Sequence, residues 1–284
     1  MQWASSTEKC YGKTTSRSEA GEIMGQLDGT VAIVTGAGRG IGKAFAKVYA
    51  REGARVAVVS RTQSTLDGVV AEIQSEGGEA VGIACDVGVR EQVFSAVEQT
   101  ISAFGTVDIL VNNAQGFGTQ SAPRSSTKFM TVEEYPDDEI EYIFRTGAMS
   151  TLWGMQAVFP TMKAKGWGKI INFSSTSGIL GTTGNTAYNM TKEAVRSLSR
   201  TAANEWGQYG INVNIISPTL RTDAFEAWEV DRPEFVKALR ENLPMRRLGD
   251  PEVDGGPLAV FLASHGSDYI TGMTFMLNGG KMMP

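Results

Sequence analysis

The sequence predicts an α/β protein: one doubly wound parallel sheet of about seven strands with helices on both faces. Three observations predict it. From residue 30 onward, short runs rich in valine and isoleucine alternate with helical stretches. The runs are apolar at consecutive positions, as strands covered on both faces must be. The first of them leads directly into a glycine-rich turn, "TGAGRGIG" (35–42), which opens a helix.

The expected strands are "VAIVT" (31–35), "RVAVVS" (55–60), "AVGIAC" (80–85), "VDILVNN" (107–113), "KIINFS" (169–174), "INVNIIS" (211–217) and "MTFML" (273–277). Helical stretches separate them. In "EQVFSAVEQTISAF", Val93, Val97, Ile101 and Phe104 recur at steps of four, four and three and form one stripe of a helix. No internal repeat or linker follows residue 25. Residues 1–25 therefore read as a flexible N-terminal arm, and 26–284 as one catalytic domain. Two excursions break the rhythm, at 115–139 and 218–252. Each follows the C-terminal end of a strand, where open α/β sheets bind ligands. Both are expected to be binding loops rather than structural elements, with substrate loops near 115–139 and 218–250.

Composition excludes several classes. The chain has 284 residues, 42% of them hydrophobic, and a net charge of −5. A nucleic-acid-binding surface would show a basic balance or patch, so no nucleic-acid partner is expected. Two cysteines, Cys10 and Cys85, make neither a disulfide framework nor a four-thiolate metal site. Cys85 ends an apolar run and reads as a small buried hydrophobe. The single histidine, His265, excludes a two- or three-histidine metal site within one chain. No run approaches the ~18 apolar residues of a membrane span, and residues 1–25 lack the apolar core of a secretory signal. The expected location is cytoplasmic, with no membrane partner.

The turn at 35–42 has the context of a phosphate-binding loop: strand before, helix after, at the first βα junction. Gly36 permits the tight turn. Gly40 and Gly42 let the backbone approach a pyrophosphate and let the helix pack on the sheet, while the helix N-terminus supplies donors. Tyr188 and Lys192, in "AYNMTKEAVRS", stand four apart and share one face of a helix.

Together these features resemble the classical short-chain dehydrogenases/reductases. The turn Thr35-Gly36-(x)₃-Gly40-Ile41-Gly42 matches their cofactor motif. "NNA" (112–114), "CDV" (85–87), "YNMTK" and "FLAS…YITG" match the rest, over residues 28–280. Ser175, in "NFSSTSG", stands thirteen residues before Tyr188, the family's usual spacing, which selects it over Ser174. The resemblance implies a Rossmann-like fold and hydride transfer between a ketone and a secondary alcohol. It implies that Tyr188 is the acid/base, that Lys192 tunes Tyr188 and binds the nicotinamide ribose, and that Ser175 hydrogen-bonds the substrate oxygen. A nearby ammonium is expected to lower the tyrosine pKa toward working pH. Ile41, Asp86, Val87, Asn113, Pro218 and Thr222 are implied cofactor contacts.

Strand two ends "VVSRT", with Ser60 where an NAD-selective site needs a carboxylate for the ribose 2′-hydroxyl. Arg61 follows, and Arg39 lies inside the glycine turn. Two guanidiniums suit a 2′-phosphate, so NADP(H) is the expected cofactor.

Three positions depart from the family pattern. Gly147 stands where an asparagine usually completes a proton relay, and Thr146, Ser150 or an opened backbone are the candidate substitutes. "NNAG" is here "NNAQ", with Gln115. "PG" after strand six is Pro218-Thr219. These departures support an alternative reading, a cofactor-binding sensor without turnover. Another alternative is a reductase of imines or enones. Phe117, Phe129, Met149, Trp153, Phe225 and Trp228 are placed near the pocket mouth and suggest an apolar or ring-bearing small-molecule substrate. The family's usual contacts imply a homodimer or homotetramer through the helices holding 140–165 and 187–206.

Overall fold

The computed structural model describes residues 25–231 and 233–283. The expected N-terminal arm, and Cys10 with it, lies outside the described residues, apart from Gly25.

Seven parallel strands form the sheet: β1 (Val31–Thr35), β2 (Arg55–Ser60), β3 (Ala80–Ala84), β4 (Ile109–Asn112), β5 (Gly168–Phe173), β6 (Ile211–Pro218) and β7 (Thr274–Leu277). Their spatial order is β3-β2-β1-β4-β5-β6-β7. The chain winds outward from β1 to β3, then returns to β4 and winds the other way. The crevice beyond the C-terminal ends of β1 and β4 is thus the switch point where doubly wound sheets bind ligands.

The strands are apolar throughout because their two faces feed two cores. Ala32, Val34, Val56, Val58, Ile109 and Val111 point to one layer. There they meet Phe45 and Tyr49 of α1 (Gly40–Arg51), Leu66 and Ile73 of α2 (Gln63–Ser75), and Val260 of the late helix Gly256–Ala263. The alternate residues Ile33, Ala57, Val59 and Leu110 point to the other layer. Val93 and Val97 of α3 (Arg90–Phe104) cover them, as the stripe predicts. Cys85 lies in that layer, and burial pushes its thiol up to about 11.

The two excursions carry more structure than expected. Residues 115–139 hold a short antiparallel ribbon pairing Phe117 with Arg124, a single turn at Val132–Glu134, and the start of α4 (Asp137–Phe144). Pro136 precedes α4, and Asp137, Asp138 and Glu139 fill its first turn, where the helix dipole favours acids. A π turn (Arg145–Met149) links α4 to α5 (Ser150–Lys165). The excursion at 218–252 is a helix pair rather than a loop, Asp223–Asp231 and Pro233–Glu241. Pro233 starts the second helix, and Val236, three residues before Leu239, is buried beneath it.

Candidate active site

A cleft of about 920 Å³ opens along the C-terminal edge of the sheet. Gly36, Arg39, Gly40, Ile41, Ser60, Arg61, Asp86, Val87, Asn113, Ser175, Tyr188, Lys192, Pro218 and Thr222 all line it. Residues from six strand ends therefore meet in one place.

The glycine turn is shaped by close approach. Gly36 is in the left-handed region (φ +67°), and a Cβ there would stand 2.8 Å from Asn113 Nδ2. Gly42 keeps only the packing half of its expected role. It does not line the cleft but lies buried beneath the turn, where a Cβ would stand 2.5 Å from Gly36 O. It serves the packing of α1 under the loop. Asn113 holds the turn from the side. Its Nδ2 donates to Thr35 O (2.9 Å), and its backbone N–H donates to Thr35 Oγ1 (3.0 Å). Gly38, which the motif does not single out, is equally constrained: its Cβ would meet Thr65 Oγ1 at 2.7 Å.

At the end of β2, the Arg61 guanidinium donates to Tyr142 Oη of α4 at 3.1 Å. Tyr142 thereby orients the cation proposed to select the cofactor. Such a tertiary contact leaves no local mark in the sequence. Asp86 spends one carboxylate oxygen on its own turn, accepting from Gly88 N at 2.9 Å.

Ser175 and Tyr188 are brought together by the short helix α6 (Thr176–Leu180) and by α7 (Thr186–Trp206). Ser175 caps that short helix, its Oγ accepting from Ser177 N at 3.1 Å. Ser174 turns the other way and donates to Lys192 O (3.2 Å), which separates the two serines structurally. The Lys192 ammonium lies 5.4 Å from the Tyr188 ring centroid and donates to Phe173 O at 3.1 Å. The expected fall in the tyrosine pKa is reversed here. Enclosure by protein pushes the Tyr188 phenol up, and a hydrogen bond with Ser175 only partly offsets it. The same burial lowers Lys192 to about 8. Desolvation is the largest influence on both groups, although Tyr188 is only half-buried where it lines the cleft.

Of the three expected substitutes, neither hydroxyl is free, while the backbone at Gly147 is opened into the π turn. Thr146 Oγ1 donates to Tyr142 O (2.8 Å) and accepts from Gly116 N (3.1 Å), while Ser150 Oγ donates to Thr146 O (2.7 Å). Both hydroxyls are therefore committed to backbone. Instead the Gln115 side chain lies against Gly147, with its Nε2 donating to Ile143 O at 3.1 Å.

At the other end, Phe117, Phe129, Phe225, Leu239 and the hydroxyls of Ser125, Ser126 and Thr127 line the cleft. Phe117 packs on Tyr188 with ring centroids 5.6 Å apart. Trp153 and Met149 are not at the mouth: Trp153 packs in the second core layer, and Met149 does not line the cleft. The Trp228 side chain lies outside the described residues. Lys281, unnoticed in the sequence, reaches the cleft from the C-terminal segment after β7. Among the described residues no cluster suits a metal ion.

Comparison with known proteins agrees with this architecture. A family model described as Enoyl-(Acyl carrier protein) reductase matches residues 36–281. A 12alpha-hydroxysteroid dehydrogenase of a Clostridium species is 35% identical over 264 residues, 90% of this chain and 98% of that protein. A sorbitol dehydrogenase of Cereibacter sphaeroides is 36% identical, over 91% of this chain and 99% of its own length. The structure of a 7 alpha-hydroxysteroid dehydrogenase, complexed with NADH and 7-oxo glycochenodeoxycholic acid, superposes with a TM-score of 0.82 at 33% identity, covering 89% of this chain and 94% of that one. The chain belongs to the classical short-chain dehydrogenase/reductase family, oxidoreductases that interconvert alcohols and ketones with a nicotinamide cofactor.

Proposed function

We propose that the protein is an NADP(H)-dependent oxidoreductase interconverting a ketone and a secondary alcohol, with Tyr188 as the acid/base. One observation carries the reading: Ser175, Tyr188 and Lys192 line the same cleft as the glycine turn and Arg61. The residues fit the cofactor. The turn leaves no room for a Cβ at Gly36 or Gly42, and β2 ends in a serine and an arginine rather than a carboxylate. Arg61 and Arg39 would hold the 2′-phosphate, and Lys192 the nicotinamide ribose.

The cofactor, when bound, supplies the hydride. The protein's part is to stabilise the charge left on the substrate oxygen. Ser175 donates a hydrogen bond to that oxygen, and Tyr188 gives it a proton. The aromatic wall of Phe117, Phe129 and Phe225 supports an apolar or ring-bearing substrate. A homo-oligomer through α5 and α7 is part of the same proposal, as is a cytoplasmic location. Among the described residues, no helix is long and apolar enough to cross a membrane.

The test is NADPH oxidation across ketones from small aliphatic to steroid-like, beside Tyr188→Phe. Removing a general acid costs about 10²–10⁴-fold in rate. NADPH binding should survive in the variant. Turnover that persists unchanged in Tyr188→Phe would overturn the assignment.

A further inference from the structure

The chain carries a net charge of −5, yet its cleft is cationic. Among the described residues that line it, Arg39, Arg61, Lys192 and Lys281 stand against a single carboxylate, Asp86. Three of the four cations have a role in the reading above: the two arginines face the cofactor's 2′-phosphate, and Lys192 stands beside Tyr188. Lys281 is left over. Its place in the fold puts it at the substrate end. β7 is the edge strand beyond β6, on the side of the sheet away from β2 and β3, and it pairs Leu277 with Pro218. Arg61 and Asp86 follow β2 and β3, at the opposite end.

The segment that bears Lys281 is pinned. Asn278, buried after β7, accepts from Gly280 N through Oδ1 (3.0 Å) and donates from Nδ2 to Met282 O (3.1 Å). Lys281 N donates to Asn278 O (3.1 Å), and Met245 N donates to Gly279 O (3.2 Å). Gly279 and Gly280 adopt φ of +60° and +83°, a left-handed pair that turns the chain back. The turn lies against the residues that follow the helix Pro233–Glu241, whose Leu239 lines the cleft with Phe225 of the preceding helix. The Lys281 side chain keeps contact with water at the rim. The protein around it nevertheless lowers its pKa by desolvation, and no carboxylate or other acceptor among the described residues offsets that. An ammonium without a counter-ion, beside an apolar wall, favours an arriving anion.

We propose that Lys281 anchors an anion subsite, and that the substrate is a ketone bearing a carboxylate at the far end of an apolar body. The proposal deepens the catalytic reading above and rests on it for the carbonyl. Phe225 and Leu239 cover the apolar body, and the ammonium takes the carboxylate as a point charge. A carboxylate suits this site better than a phosphate: one lysine offers a single charge, whereas phosphate is matched by the bidentate fork of an arginine. The surplus of positive charge in the cleft steers such an anion inward. The cofactor's diphosphate is the other anion the cleft would hold, and the test separates the two.

Matched ketones test it, each a carboxylic acid beside its methyl ester: an oxocyclohexanecarboxylic acid at the small end and a ring-ketone cholanic acid at the steroid-like end. Binding to the protein loaded with NADP⁺ is measured by calorimetry, so the readout does not depend on turnover. In at least one pair the parent should bind the acid roughly tenfold more tightly than the ester, the worth of one charge-assisted hydrogen bond. Lys281→Met should abolish that preference, Lys281→Arg should retain it, and added salt should narrow it. Affinity for NADPH should stay put in both variants. Acids that fail to bind, or bind no better than their esters, overturn the proposal, as does a preference that survives Lys281→Met. A loss of NADPH affinity in Lys281→Met assigns the lysine to the cofactor's diphosphate and overturns it too. An acid preference that vanishes in Lys281→Met, in a protein that turns over no ketone, leaves the subsite standing and fails the catalytic reading instead.

Discussion

Lys192 places a measurable load on the fold. Burial lowers its pKa from 10.5 to about 8, and it is 4% exposed. Below about 8 the lysine is charged in both states, and the folded protein bears the cost of desolvating it. Between about 8 and 10.5 the folded lysine has released its proton and the unfolded one has not. The unfolded chain then binds more protons, so stability rises with pH across that window. Linkage converts the displacement into about 2 kcal/mol gained between pH 7 and pH 9.5. Other groups also titrate there, so the contribution is isolated by difference. Urea midpoints of the parent and of Lys192→Met, taken at both pH values, give two pH slopes. The parent should gain about 2 kcal/mol more than the variant on going to pH 9.5. Equal slopes would show that the folded lysine titrates as an ordinary one, and the burial argument would fail.

Arg61→Asp should cost NADPH roughly tenfold or more in affinity, since charge-assisted hydrogen bonds are worth about 1.5–3 kcal/mol. NADH should gain by comparison, and fluorescence titration with both cofactors checks it. Gly42→Ala, whose Cβ would stand 2.5 Å from Gly36 O, should loosen the turn and weaken either cofactor equally, a pattern distinct from the selective effect at Arg61. Phe117→Ala removes the ring packed on Tyr188. It should raise KM for ring-bearing ketones more than for small aliphatic ones, as read from the two KM ratios.

What was legible in the sequence was what local pattern controls. The β1 and β2 runs follow from continuous apolar residues facing two cores, and the α3 stripe from its spacing. The glycine turn and the Ser175, Tyr188 and Lys192 set carry their signature in short stretches. What was illegible depends on residues distant in sequence meeting in space. Gln115 and Gly147 looked like two separate losses because nothing local shows that one fills the space left by the other. The direction of the Tyr188 pKa was misjudged for the same reason: helical spacing reveals the lysine neighbour but not the enclosure that outweighs it. The helix pair at 223–241 was not read from the sequence because a long excursion after a strand end was taken for a binding loop.

Thr127 Oγ1 donates to Asn185 Oδ1 (2.6 Å), Asn185 Nδ2 to Ser177 Oγ (3.2 Å), and Ser177 Oγ to Asn189 Oδ1 (2.7 Å), while Met130 N donates to Gly184 O (3.0 Å). These bonds stitch the excursion that walls the substrate cleft to the entrance of the helix bearing Tyr188. A change made by rewriting residues 117–130 therefore reaches the start of the helix bearing Tyr188 through two direct hydrogen bonds, Thr127 to Asn185 and Met130 to Gly184. A graft of residues 117–130 from a relative would have to bring matching residues at 184 and 185 to keep that seam closed.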